Sequence, residues 1–448
     1  MGIRYFIIIA GLCFLPHFVW AAGAILVDSS STGEPVGWGI PSGNGVLQNT
    51  INYNPETTSG TTQVGGTLGR LSNAETLELL EELFSGWSVV TLNDGSSDIN
   101  IIELTITQGE GLGNVDEDNI DDHFTYCPSG QYCSSTDEDP FVLGSARSGQ
   151  SPIIFDEDGS IVDLIQGEGA NQSVLGFAGP RVVQRIGSVL FITEAQAVLN
   201  GLFIDCPDGA ASNDACQDPE VSIDAFKGAI FHELGHFLGL DHTQVNLDLV
   251  TNAAGVDEVA LAGIPTMFPL FVDGEAQLSL HHDDKIAMGL LYGNTSFANR
   301  FCTIQGTVFE SDGTTPMQGV NVVARRVENG VVEATSFVSG AHYTGSSSNC
   351  SAANGDYVIQ GLVPGVSYTL EVERISSVFT GGSSIEPCDP PASGFDEAIL
   401  EGRFSCDTGG QVIATGTAVT TDIVTTKNAS SSGSGQSSGG CSLIPIDR

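Results

Sequence analysis

Apolar and polar residues alternate with two different periods along this chain. Between residues 72 and 91 the apolar residues recur at the spacing of an amphipathic helix that packs one face against a core. They are Leu77, Leu80, Leu83, Phe84 and Trp87. Ser72, followed three residues later by Glu75, forms the capping-box pattern found where a helix begins. The two patterns together predict a helix that starts directly after Ser72.

Shorter apolar runs, separated by turn-forming residues, follow the two-residue period of strands. They predict strands at Gln48–Tyr53, Ile99–Thr107, Pro152–Phe155, Val174–Ala178 and Val189–Ile192. Two further helices are predicted downstream, one capped by Ser222 or Asp224 and one at Asp283–Tyr292. Strands that precede the main helices indicate an α+β fold in which helices pack on a mixed sheet.

The pattern changes after Gly293, where β-rich segments are separated by Gly, Pro and Asn turns. These segments are Thr303–Glu310, Gly319–Arg326, Asp356–Leu362, Tyr368–Arg374 and Val419–Thr426. They predict a small all-β sandwich at residues 300–427, behind a larger domain at residues 22–296. Residues 428–448 form a Ser/Gly-rich tail, which is typical of flexible segments.

Charge narrows the range of partners. Fourteen basic residues face 55 acidic ones among 448, for a net charge of −41. Such a chain is a poor partner for nucleic acids and for anionic membrane surfaces. No apolar run beyond the first residues is long enough to span a bilayer. The balance suits a solvated extracellular protein, and acidity that serves solubility alone is an equally good reading.

The first residues and the cysteines point to secretion. Residues 1–21 combine Arg4, an apolar run and small residues near Ala21, as a secretory signal peptide does. Nine cysteines would then remain in an oxidising compartment, where disulfides form. The sequence suggests four pairs and leaves Cys441 over. The pairs are Cys127 with Cys133, Cys206 with Cys216, Cys302 with Cys350, and Cys388 with Cys406.

The chemistry concentrates in residues 232–242. His232 and His236 are four residues apart, so on a helix both imidazoles lie on one face and can bind one Zn²⁺. Gly239 lets the chain leave the helix, and the turn brings His242 round as a third ligand. Three protein ligands leave a position for water, which is the arrangement of catalytic zinc. Glu233 is placed to act as the general base on that water.

This histidine motif resembles that of the metzincin metallopeptidases. A second mark of the family follows at Pro265–Pro269, which looks like the Met-turn, with Met267 beneath the metal. The segments Ser72–Thr91, Val174–Pro180 and Leu278–Gly293 resemble the matrixin branch, so the likeness spans about residues 45–293. It implies a metzincin-type twisted mixed sheet with an active-site helix, and a zinc endopeptidase that cleaves extracellular proteins or peptides.

The resemblance also implies where a substrate binds. Gly176, Phe177 and Ala178 stand in the family's edge strand, which aligns the substrate backbone as an added strand. Phe268, Pro269 and Leu270 would shape the pocket just beyond the cleaved bond.

The sequence also departs from the matrixin pattern. Phe177 and Phe191 occupy places where matrixins carry histidines for a structural zinc, so one catalytic Zn²⁺ is expected. No inhibitory prodomain is visible upstream. His281 and His282 are interpreted as surface residues at a helix start.

A second cation, Ca²⁺, is a further hypothesis. Asp156, Asp158, Ser160 and Asp163 surround Gly159, and closely spaced carboxylates at a glycine turn can supply the oxygen ligands that Ca²⁺ prefers. The resemblance places a calcium loop near this position. A solvated acidic turn explains the same residues equally well.

The C-terminal segments Ile304–Val308, Gly319–Val322, Gly355–Tyr357 and Leu362–Gly365 resemble carboxypeptidase regulatory-like, transthyretin-like modules of secreted bacterial proteins. Such a module has no evident catalytic residues. It can bind a surface or a substrate or merely space the enzyme, and spacing is the expectation. Residues 439–441, Gly-Gly-Cys, resemble bacterial sorting motifs, so Cys441 could attach the chain to a cell surface. The alternative function is therefore a surface-attached binding or adhesion protein with a vestigial metalloprotease domain.

Overall fold

The computed structural model describes the greater part of the chain. The described residues are 6–7, 23–26, 28, 35–41, 47–57, 65–124, 149–206, 220–243, 245–247, 263–271, 276–328, 331–340, 354–375, 392, 394–400, 418–420 and 422–425. The tail at 428–448, with Cys441, lies outside them, as do most of residues 1–21.

The described helices and strands show a mixed α+β protein with several sheets and few helices. The strands are β1 (Phe6–Ile7), β2 (Ile40–Pro41), β3 (Leu47–Gln48), β4 (Thr50–Pro55), β5 (Thr91–Asn93), β6 (Asp98–Asn100), β7 (Thr105–Gln108), β8 (Pro152–Asp156), β9 (Gly176–Ile186), β10 (Val189–Asn200), β11 (Leu270–Phe271), β12 (Cys302–Phe309), β13 (Val320–Glu328), β14 (Val331–Val338), β15 (Asp356–Leu362), β16 (Thr369–Arg374), β17 (Ala398–Ile399), β18 (Ala418–Thr420) and β19 (Ile423–Val424). The α-helices are α1 (Asn73–Ser88), α2 (Ser160–Gln166), α3 (Ile223–Phe237), α4 (His282–Tyr292) and α5 (Thr295–Arg300).

The N-terminal half is built on a five-stranded mixed sheet with the order β7-β4-β8-β10-β9. The strands β7, β4, β8 and β10 run parallel to one another, and β9 pairs antiparallel with β10 at the edge. The apolar side chains of α1, α3 and this sheet share one buried cluster. Ser72 caps α1 with Glu75 in a capping box, as the sequence predicts.

The C-terminal half contains two four-stranded sheets. One has the order β15-β12-β18 with β19 also paired to β12, and the other has the order β14-β13-β16-β17. Alternate residues of β13, namely Val320, Val322 and Ala324, join residues from both sheets in one buried cluster. The layers therefore enclose a core between two sheets, as in a β-sandwich.

The other face of the second sheet is also covered. Val323 on β13 and Ala334 on β14 pack with Val245, and all three are buried. Ile264 and Phe268 belong to the cluster of the sandwich itself. Residues from the N-terminal half therefore pack directly on the sandwich. The spacer role expected of the sandwich stays a prediction.

Residues 23–26 and 35–39 pack along the end of α3. The Ile25 N–H donates to the Gly239 carbonyl at 2.7 Å, and the Asp241 N–H donates to the Gly23 carbonyl at 3.0 Å. The indole N–H of Trp38 donates to the Phe237 carbonyl at 2.9 Å. The Trp38 contact satisfies a carbonyl that the helix end leaves without an intrahelical partner. The segment predicted to follow the signal peptide is thus an integral part of the fold.

Several expectations need correction. The predicted strand Ile99–Thr107 is two short strands, β6 and β7, which belong to different sheets. Ile101 and Ile102 between them are fully buried, because the chain turns there into the core under α4. The sequence reading missed the strand β14 and the helix α2. His282 is buried rather than on the surface, because it lies under the sandwich near Glu333.

Two further observations concern the predicted cellular context. Cys206 and Cys302 are each disulfide-bonded, and the partners suggested for them, Cys216 and Cys350, lie outside the described residues. None of the helices in the described ranges is long and apolar enough to cross a membrane. β1, within the predicted signal peptide, pairs with β11, and the signal peptide stays a prediction.

Candidate metal centre

Helix α3 carries the first two histidines. The Ser222 hydroxyl caps its first turn by accepting from the Ala225 N–H at 3.1 Å, which selects Ser222 over Asp224 as the cap. Nearly every residue from Phe226 to Phe237 is buried, so this is an internal helix rather than a surface one. His232 and His236 are both 0% exposed. A polar pair in such a place requires a partner in the interior.

The turn after α3 delivers the third histidine. Gly239 has φ +94°, a left-handed conformation that a residue with a Cβ adopts only under strain. Its N–H donates to the His236 carbonyl at 2.9 Å, and the Leu240 N–H donates to the Gly235 carbonyl at 2.9 Å. These bonds close the helix end and reverse the chain. His242 is thereby placed opposite the two helical histidines.

The three imidazoles converge on one point. The Nε2 atoms of His232, His236 and His242 lie 3.0–3.1 Å from one another. All three residues are buried, and burial lowers the pKa of each ring, to about 4 for His236. Burial therefore favours the neutral form that ligates metals. The three ligand atoms lie close enough together to bind one metal ion.

Backbone carbonyls set the orientation of two of the rings. His232 Nδ1 lies 2.6 Å from the Thr266 carbonyl, and His236 Nδ1 lies 2.8 Å from the Leu240 carbonyl. A carbonyl accepts only, so each Nδ1 carries the proton and each Nε2 presents its lone pair to the common point. This is the usual outer support of metal-binding histidines. The donor set fits Zn²⁺, whose bonds to nitrogen are about 2.0–2.1 Å.

Asp284 on α4 holds the backbone at Thr266, whose carbonyl orients His232. Its carboxylate accepts the N–H groups of Thr266 at 2.9 Å and of Met267 at 3.0 Å. The Thr266 hydroxyl donates to the Ser279 carbonyl at 2.9 Å. Asp284 therefore fixes the peptide whose carbonyl orients His232. The sequence analysis missed Asp284 and Thr266, because their pairing joins segments 18 residues apart.

Met267 lies directly against helix α3. A Cβ atom placed on Gly235 would lie 2.3 Å from the Met267 sulfur and 3.0 Å from Trp87 Cζ2. Met267 is 1% exposed and Trp87 is fully buried. The glycine thus opens the helix surface between the two helical ligands so that sulfur and indole can pack there. Met267 thus packs against the helix that carries His232 and His236, and its place beneath the metal stays a prediction.

Glu233 occupies the space between α3 and the edge strand β9. A Cβ atom on Gly176 would lie 3.4 Å from the Glu233 Cγ. Burial raises the pKa of Glu233 well above its ordinary value, and the neighbouring N–H of Ala178 opposes that rise. Neither carboxylate oxygen makes a hydrogen bond of normal geometry with a described residue, the nearby Ala178 N–H included. A buried carboxyl group with free oxygens is poised to exchange a proton with a molecule that enters the site.

The predicted substrate-binding residues fall into two groups. Gly176, Phe177 and Ala178 begin β9, the edge strand of the five-stranded sheet, beside Glu233. Phe268 is 0% exposed and belongs to the cluster of the sandwich. Pro269 is buried, and Leu270 is half-buried in β11. The pocket role of these three residues stays a prediction.

In the acidic turn after β8, the carboxylates accept hydrogen bonds from backbone N–H groups. Asp156 Oδ2 accepts the Val162 N–H at 2.7 Å, Asp158 accepts from the Ser160 N–H, and Asp163 accepts from the Asn171 N–H. These bonds fold the turn into helix α2. The carboxylates do not form a cluster with ligand atoms within 4.8 Å of one another among the described residues. The calcium site therefore stays a prediction.

A second cluster of ligand-type residues joins Asp205, Cys206 and Glu220. Cys206 is disulfide-bonded, so its sulfur is not a free thiolate ligand. Burial and the adjacent Asp205 carboxyl raise the pKa of Glu220 to about 8.

Comparison of the chain with protein-family models, with curated proteins and with solved structures found no match. The functional argument therefore depends on the geometry of the site itself.

Proposed function

We propose that the protein is a zinc-dependent endopeptidase of the matrixin-like metzincin type, acting on extracellular proteins or peptides. The observation that carries the proposal is the convergence of three buried histidine Nε2 atoms beside a buried carboxyl group with free oxygens. A structural zinc site needs four protein ligands and no general base. Three ligands with an adjacent glutamate support a catalytic site instead.

When bound at this centre, Zn²⁺ would polarise the scissile carbonyl and lower the pKa of a water toward about 7. Glu233 would accept a proton from a water molecule as the oxygen of that water attacks the carbonyl carbon. The carboxyl group then gives the proton to the amine nitrogen as the C–N bond breaks, which restores the carboxylate.

The edge strand supports the substrate assignment. β9 pairs with β10 on one side only in the described sheet, and its first residues lie beside Glu233. A peptide that adds to this edge as a further strand would run past the metal centre with its backbone amides aligned. Main-chain recognition of this kind suits an enzyme that cleaves within extended polypeptide segments.

Two observations support action after secretion. Cys206 and Cys302 are disulfide-bonded, which favours an oxidising compartment. Residues 1–21 resemble a secretory signal. We extend the proposal accordingly: the enzyme is exported, its C-terminal half is a regulatory-like sandwich module, and the tail can attach it to the cell surface.

The test compares the wild-type protein with Glu233→Ala on gelatin and on casein, with zinc content measured in the same samples. Glu233→Ala should bind one equivalent of zinc and lose roughly 10²–10⁴-fold in turnover. Asp224→Asn, at the exposed first turn of the same helix, is the matched control and should cleave as the wild type does.

Cleavage by Glu233→Ala at the wild-type rate would contradict the mechanism. Zinc binding without cleavage by either protein, over a panel of unfolded substrates, would favour the alternative of a surface-attached binding protein with a vestigial metalloprotease domain.

A further inference from the structure

The three histidines are not held in the same way. His232 and His236 each donate Nδ1–H to a backbone carbonyl, but His242 Nδ1 is buried and has no partner among the described residues. Metal-binding histidines nearly always use the second nitrogen to fix the ring. Among the described residues, the contacts that can orient His242 are those of the backbone on either side of it.

The backbone before His242 is fixed by residues 23–25, as described above. The backbone after it is fixed by the sandwich and by the turn around Met267. The Thr243 N–H donates to the Met267 carbonyl at 3.0 Å. Val245 is 0% exposed and packs against Val323 and Ala334 of the sandwich. The chain that leaves the third histidine thus lies on the outer face of the sheet β14-β13-β16-β17.

Asn246 anchors the chain that follows His242. It has φ +65°, the only positive φ of a residue other than glycine in the described part of the chain. This conformation costs free energy unless neighbouring groups hold it, although Asn tolerates it better than most residues. Asn246 Nδ2 donates to the Gly263 carbonyl at 2.6 Å and to the Val332 carbonyl at 3.2 Å. The side chain is 1% exposed, so these bonds form in the interior.

Arg325 of the sandwich completes the set of contacts to Asn246. Its Nη1 donates to Asn246 Oδ1. Its other nitrogens bind Glu371 at 3.0 Å and Glu373 at 3.2 Å, both on the neighbouring strand β16. Two carboxylates hold the guanidinium in place, and the guanidinium holds Asn246. A planar group with several donors is suited to such a bridge, and a lysine is not.

We propose that Arg325 is a positioning residue of the metal centre, which acts through Asn246 to fix the backbone after His242. The sandwich is then a working part of the site rather than a spacer. The inference deepens the proposed function and rests on it for its catalytic consequence. Its effect on metal binding can be measured independently of peptide cleavage.

The test is a double-mutant cycle of Arg325→Met and Asn246→Gly in the full chain, read by metal affinity. Zn²⁺ and Co²⁺ affinities are measured by competition with a chromophoric chelator, and the visible spectrum of the Co²⁺ form reports the ligand geometry. Asn246→Gly is the safer variant for folding, because glycine accepts φ +65° without strain. Arg374→Met is the matched control, since Arg374 bonds to Glu397 within the same sheet.

Each single variant should weaken metal binding by about tenfold or more, the range found when outer supports of metal ligands are removed. It should also change the Co²⁺ spectrum. The metal affinity of the double variant should equal that of the single variant with the lower affinity, because both changes break the same connection. Arg374→Met should match the wild type in affinity and spectrum.

Wild-type affinity and an unchanged spectrum in folded Arg325→Met would overturn the inference. An effect of Arg325→Met that persists in full on the Asn246→Gly background would overturn the route through Asn246. A wild-type protein that binds metal but cleaves no peptide would refute the proposed function alone, and the affinities would still decide the inference.

Discussion

The sulfur atom of Met267 lies so close to helix α3 that a Cβ atom on Gly235 would lie 2.3 Å from it. Glycine in a helix interior ordinarily costs about 0.5–1 kcal/mol relative to alanine. Gly235 lies between two candidate metal ligands in the sequence, and the absence of a side chain there lets Met267 pack against the helix.

Gly235→Ala should therefore destabilise the protein, against the usual direction of a glycine-to-alanine change in a helix. Overpacking of a dense interior costs about 1–3 kcal/mol, which exceeds the gain in helix propensity. Urea unfolding of the zinc-loaded protein measures the effect. Met267→Ala removes the sulfur, so Gly235→Ala should cost less on that background. Equal costs on both backgrounds would show that Met267 is not the obstacle.

Asp284→Asn tests the connection from α4 to His232. The carboxylate accepts N–H groups from Thr266, Met267 and His281. An amide keeps one acceptor oxygen and turns a donor toward the remaining N–H, so the Thr266 peptide loses its fixed position. Zinc affinity should fall by roughly 10–100-fold. Chelator competition measures it, and zinc affinity equal to that of the wild type would show that the Thr266 carbonyl is held without Asp284.

The described residues between 23 and 28 offer a separate test of how the turn from Gly239 to His242 is held in place. Asp28 is 3% exposed and pairs with both terminal nitrogens of Arg185 on β9, at 2.6 and 2.8 Å. Asp28→Asn should lower the free energy of unfolding by about 1–3 kcal/mol, since a buried acceptor of a charged donor is lost. It should also speed proteolysis near residues 23–28.

Glu397→Gln is the control for that prediction, because it breaks an ion pair with Arg374 in which both side chains are about half exposed. Such a pair contributes about 0–1 kcal/mol. If Asp28→Asn and Glu397→Gln lower the free energy of unfolding by the same amount, the ion pair of Asp28 does not hold the N-terminal segment in place.

The local parts of this structure could be predicted from sequence, and the parts that depend on distant segments could not. Ser72 with Glu75 carries its own start signal, and His232, His236, Gly239 and His242 lie within one helix and turn. No local pattern shows that the sandwich covers His282. The strand β14 lacks a clear alternation of apolar and polar residues, because both faces of its sheet are covered. Ala334 is buried on one face and Phe337 on the other.

Asp283 lies where α4 contacts the sandwich, and its protonation should make the free energy of unfolding depend on pH. This carboxyl group is 1% exposed and faces Thr243, Asp284, Thr335 and Ser336, whose N–H donates to it at 3.2 Å. Burial, reinforced by Asp284, raises the pKa of Asp283 to about 7, against the opposing hydrogen bonds. An aspartate in the unfolded chain titrates near 3.9.

The folded state therefore holds this proton more firmly than the unfolded state does. The contribution of Asp283 to stability is complete below about pH 4 and is lost as the pH rises toward 7, by at most about 1.4 kcal/mol per pH unit. Asp283→Asn stays neutral throughout, so its free energy of unfolding relative to the wild type should rise between pH 4 and 7 and then level off. Urea unfolding at saturating zinc measures the difference, since contributions shared by both proteins cancel. Asp312→Asn, an exposed carboxylate whose pKa the adjacent Thr315 lowers, should show no such trend between pH 5 and 8. A constant difference between Asp283→Asn and the wild type would mean that Asp283 is already ionised in the folded interface.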